Sequence, residues 1–81
     1  MNNRQIAQII SRTGAMKGDK FAITHGWFLD TRNGKSVLRY TNRYQSQEQC
    51  NQTLTTICEA LQSKGYVVLM LDACTLSITN N

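Results

Sequence analysis

One histidine and five carboxylates are all the conventional acid–base groups this 81-residue chain carries. The carboxylates show no paired spacing, so general acid–base catalysis has little to work with. There is no glycine-rich phosphate loop of the P-loop kind and no G-x-G-x-x-G turn, which removes the common nucleotide-binding designs. The three cysteines, Cys50, Cys58 and Cys74, form no C-x-x-C pair, and no H-x₃-H accompanies them. A metal centre built from them with His25 therefore lacks the usual ligand spacing. No catalytic residue, metal or cofactor is expected. No apolar run approaches the ~20 residues of a membrane span. The opening Met-Asn-Asn-Arg-Gln leads into an amphipathic stretch, so neither a secretory leader nor a membrane partner is expected.

The cysteine count is odd. If Cys50 and Cys58 share a helix, a rise of ~1.5 Å per residue sets them roughly 12 Å apart, too far for a disulfide. The expectation is a reducing, cytoplasmic setting, with the thiols acting as small core side chains. A chain of this length has room for one domain, and it buries only a little over ~60% of its unfolded surface. Such a domain is marginal alone, which favours oligomerisation or a partner.

What the sequence does have is Asn33-Gly34 between two apolar runs. Asn-Gly favours a two-residue type I′ hairpin, because both central residues need φ > 0. That turn fixes the register. Arg32 faces Lys35, Leu29 faces Leu38, and Trp27 faces Tyr40. One face then collects Phe21, Ile23, Trp27, Leu29, Leu38, Tyr40 and Tyr44, a core face. The other collects Thr24, Phe28, Val37, Arg39, Thr41 and Arg43, an open face with a phenylalanine beside two arginines. His25 falls on the core side opposite Asn42, where a lone histidine reads as structural.

Other elements follow from spacing. Residues 3–13 read as a helix, capped by Asn2 or Asn3, with Ile6, Ile9 and Ile10 as its stripe and Gly14 after its end. Gly18-Asp19 reads as a turn. Strand one spans about Lys20 to Asp30, and strand two about Lys35 to Tyr44. Ser46 and Gln49 form a capping box ahead of a helix over 47–63. Cys50, Leu54, Ile57, Cys58 and Leu61 line its apolar face, and Gly65 ends it. Its polar face, with Asn51, Gln52, Thr55 and Gln62, is nearly uncharged. Tyr66 to Leu71 is a continuous apolar run that reads as a buried strand. Leu76 and Ile78 have the opposite parity from Val67, Leu69 and Leu71, so a turn near Asp72-Ala73 or a bulge must intervene. The turn is favoured.

The chain is therefore an α+β domain of order α-β-β-α-β(-β). A right-handed crossover predicts an antiparallel sheet of order 2-1-3, strand one central and the helices on one face.

Charge is unevenly placed. Residues 1–46 hold eight Lys/Arg against Asp19 and Asp30, and residues 47–81 hold Lys64 against Glu48, Glu59 and Asp72. A basic N-terminal half points to an acidic partner, nucleic acid or a protein surface. The expected working surface is the basic hairpin: Phe28, Arg32, Lys35, Arg39 and Arg43. There Phe28 could stack on a base, and the tip could enter a groove as a β-ribbon does. A non-enzymatic module that binds nucleic acid or a nucleoprotein is the favoured reading. A protein-binding inhibitor or adaptor is the alternative, since an edge strand and an uncharged helix face suit a chain that completes itself on a partner. In size and α/β make-up the chain resembles the small inhibitors that phages encode against host defence nucleases.

Overall fold

A computed structural model describes residues 3–18 and 25–80. It contains α1 (Asn3–Arg12), β1 (His25–Arg32), β2 (Lys35–Asn42), α2 (Gln47–Ser63), β3 (Tyr66–Asp72) and β4 (Thr75–Asn80). The four strands make one antiparallel sheet, with two helices alongside, so the domain is α+β. Asp19 to Thr24, including Phe21 and Ile23, and the cap candidate Asn2 lie outside the described residues.

The hairpin forms as its turn dictates. Asn33 and Gly34 take φ of 52° and 76°, and Arg32↔Lys35, Leu29↔Leu38, Trp27↔Tyr40 and His25↔Asn42 face each other. Helix α2 also starts where its cap places it. Ser46 Oγ accepts from the Gln49 backbone N–H at 3.2 Å, and Gln49 Oε1 accepts from the Ser46 N–H at 2.9 Å. Gly65, at φ 91°, ends the helix in the left-handed region.

Both helices pack on one face of the sheet. Ile6 and Ile10 from α1 and Leu54, Ile57 and Leu61 from α2 meet Trp27, Leu38, Tyr40, Leu76 and Ile78. Two polar contacts pin the start of α1 to the hairpin. Asn3 Nδ2 donates to Thr31 Oγ1 at 2.9 Å, and the Ser36 hydroxyl donates to Asn3 Oδ1.

Strand order differs from the 2-1-3 expectation. The sheet runs β1-β2-β4-β3, so β1 is an edge and β4 lies inside. The apolar run Tyr66–Leu71 is likewise an exposed edge strand rather than a buried one. The physical reason is in β4. Leu76 and Ile78 are buried toward the helices, while Thr75 and Ser77 are buried on the opposite side. A strand whose two faces are both shielded belongs between neighbours. It pairs with β2 through Leu38↔Leu76 and with β3 through Val68↔Ile78. The parity conflict is resolved by both devices at once: a turn at Asp72–Thr75, and a register shift between Met70 and Asp72.

Tyr44 is the other correction. Strand β2 ends at Asn42, so Tyr44 leaves the core face and is 73% exposed. Gln45 takes the space near Tyr40 instead, its Oε1 accepting from the Tyr40 hydroxyl at 2.7 Å.

Candidate functional site: the uncovered face of the sheet

Side chains alternate along each strand, so every residue beside a core residue points to the face without helices. In β1 these are Phe28, Asp30 and Arg32, and in β2 they are Lys35, Val37, Arg39 and Thr41. Two rows cross the sheet. One runs Phe28, Arg39, Thr75, Asp72, and the other Asp30, Val37, Ser77, Leu69. Down the middle, Val37, Ser77 and Thr75 are only 7%, 8% and 9% exposed. They are short residues set among longer ones.

Between the rims lies a shallow groove of about 390 Å³, lined by Phe28, Asp30, Arg32, Val37, Arg39, Leu71, Asp72 and Thr75. Two carboxylates therefore share it with two arginines. The Asp72 carboxyl is held below its ordinary value, chiefly because its Oδ1 accepts from the Cys74 backbone N–H at 2.8 Å. A bond from the Thr75 hydroxyl and the charge of Arg39 act in the same direction. Arg39 thus faces an aspartate of its own chain before it meets any partner.

The far rim is apolar. Val67, Leu69 and Leu71 are 40%, 62% and 58% exposed. Scattered exposed leucines are ordinary, but neighbours on one strand form a patch.

Of the five residues expected to bind, the structure gathers four. Phe28 lies across from Arg39, half-buried, and Arg32 and Lys35 stand exposed beside the turn. Arg43 departs from that set. Since the ladder stops at Asn42, Arg43 is not on the open sheet face. Its guanidinium sits over the Tyr44 ring, 5.3 Å from the centroid. What sequence reasoning missed is the β3 contribution and the two aspartates. The alternation of Val67, Leu69 and Leu71 was visible, but a run apolar at every position does not announce which side is open.

A second hollow of about 380 Å³ is lined by Tyr40, Thr41, Asn42, Arg43, Gln45, Gln47, Cys50, Ala73 and Cys74. It holds two thiols without a histidine or carboxylate among its lining residues. All three cysteines are free. Burial, with a smaller push from the Glu59 carboxylate, raises the Cys58 thiol above its ordinary value, which disfavours the nucleophilic thiolate. His25 sits beside Tyr44 with ring centroids 5.7 Å apart. Among the described residues no group of three His, Cys, Asp or Glu is placed to hold a metal ion, and no helix is long and apolar enough to cross a membrane.

Compared with known proteins, the chain matches no family model, no curated protein and no solved structure.

Proposed function

We propose that this chain is a non-enzymatic protein-binding module that docks through the uncovered face of its sheet, as an inhibitor or adaptor would. The observation that carries the reading is the make-up of that face: exposed Val67, Leu69 and Leu71 at one side, and exposed Arg32, Lys35 and Arg39 at the other. Its complement is a protein surface that is apolar along one side and acidic along the other. The apolar part supplies burial, while the basic part steers the encounter.

Nucleic acid suits this face less well. Aliphatic side chains do not stack on bases, and among the described residues the face offers one aromatic residue, half-buried Phe28. Asp30 and Asp72 line the same groove as Arg39 and oppose a phosphate backbone. Arg43, the second arginine expected there, lies over Tyr44 instead.

The test compares wild type with F28S/R39E in affinity capture from the native host. Loss of a specific protein in the variant, with circular dichroism unchanged, supports the reading. Fluorescent single-stranded DNA and RNA oligonucleotides serve as competing probes. Tight oligonucleotide binding that falls steeply with salt and disappears in F28A would replace it with the nucleic-acid reading.

A further inference from the structure

The two edges of the sheet are treated differently. Along β1, residues 16–18 run beside the strand. The Trp27 N–H donates to the Met16 carbonyl at 2.8 Å, and the Gly18 N–H donates to the Trp27 carbonyl at 2.6 Å. Exposed Asp30 and Arg32 follow on the same strand. Charge and a covering segment are devices that blunt a sheet edge. Edge β3 carries charge only at its last residue, Asp72. Among the described residues nothing pairs along its outer side. From Tyr66 to Leu71 it contains no charged residue and no proline. Every second residue of such a strand presents its N–H and C=O outward, ready for another strand.

We propose that β3 pairs with β3 of a second copy of this chain, antiparallel about a two-fold axis through Val68. Three observations fix the occupant and the register. First, the strand is complementary to itself. About Val68, Val67 faces Leu69 of the other copy on the uncovered face. Val68 faces Val68, and Tyr66 faces Met70, on the helix side. Pairs of equal parity keep both helix layers on one side of the joined sheet. Second, this register uses the regular stretch Tyr66–Met70 and stops before the register shift that follows Met70. It also covers Met70, which has helix-side parity yet is 60% exposed. Third, the charges match. Lys64 precedes the strand and Asp72 ends it, and the two-fold brings the Lys64 end of each strand to the Asp72 end of the other. A parallel pairing sets like charges together at both ends. The product is a continuous eight-stranded sheet with a central apolar band and a basic hairpin at each end. Two-fold pairing of this kind is the commonest symmetry of soluble assemblies.

Light scattering on size-exclusion fractions, across a range of protein concentrations, reads the mass. Wild type is expected to shift toward the dimer mass as concentration rises. L69K places a charge against Val67 of the other copy, and it is expected to weaken dimerisation by roughly tenfold or more. Leu69 is exposed in the single chain, so circular dichroism is expected to stay unchanged. F28S/R39E, altered on β1 and β2, is expected to keep the dimer, which separates failure of the edge from failure of the docking face. Cross-linking tests the register. The V67C/L69C variant is expected to form a disulfide-linked dimer on oxidation, since its thiols oppose each other across the axis. L71C and wild type are expected to remain unlinked, because Leu71 lies several residues from its own copy. A monomer mass at every concentration overturns the proposal. So does a dimer that L69K leaves intact, or equal cross-linking of L71C.

Discussion

Strand β2 serves two surfaces at once. On one side, Leu38 and Tyr40 are sealed against both helices. On the other, Lys35 and Arg39 stand in solvent around Val37. The same contrast divides the whole sheet. The helix side is built from Trp27, Leu38, Tyr40, Leu76 and Ile78, all nearly inaccessible. The open side mixes aliphatic, basic and acidic residues, several of them exposed. The difference separates two tasks. Stability resides where large side chains interlock, and the recognition we propose falls to a surface whose composition the core does not constrain.

The largest expected effect sharpens that division. Ile57→Ala removes a side chain that is wholly buried between α2 and the sheet. It should lower unfolding free energy by about 2–5 kcal/mol in urea titrations. A loss below ~1 kcal/mol would mean that α2 is not sealed on the sheet.

Next comes Gly26→Ala, which probes the covered edge. Gly26 has φ 108°, and a Cβ built there would lie 2.4 Å from the Gly18 nitrogen. Strained backbone and a clash with the 16–18 segment together should cost about 1–3 kcal/mol. Wild-type stability in that variant would show that the segment does not hold the β1 edge.

On the open side, Leu69→Thr should change stability by no more than ~0.5 kcal/mol when measured at concentrations where the chain is monomeric. A cost like that of Ile57→Ala would erase the contrast between the faces.

The smallest effect concerns acid. Asp72 titrates below its ordinary value in the folded chain, because the Cys74 N–H and the Thr75 hydroxyl favour its ionised form. Its stabilising contribution is therefore present at neutral pH. It is lost as pH falls from ~3.9 down through the lowered folded value. Carboxyl NMR titration should find the Asp72 midpoint below ~3.9. Asp72→Asn should remove this part of the acid dependence, and the effect should be small at so exposed a position. A midpoint above ~3.9 would break the claim.

Much of this was legible locally. Asn33-Gly34 set the hairpin register down to single pairs, and Ser46 with Gln49 set the start of α2, because both signals act over a few residues. Strand order was not legible. Whether β3 or β4 lies beside β2 depends on contacts far apart in sequence, and an unbroken apolar run fits an edge as easily as a centre. The candidate face divided along the same line. Phe28 and Arg39 were paired by the turn, Arg43 was lost where the strand ended, and Val67, Leu69 and Leu71 entered only through the sheet order.

The interior place of β4 also bears on how the chain acquires its structure. The β1–β2 hairpin closes over two residues and needs nothing distant. Its exposed flank, however, waits for a strand that emerges only after α2 and β3. Until then β2 is itself a bare edge, its outward N–H and C=O groups unpaired on the side that β4 will occupy. Non-local pairing of this kind slows folding and prolongs exposure to aggregation. The interval during which β2 is open is set by the time needed to produce and place β4.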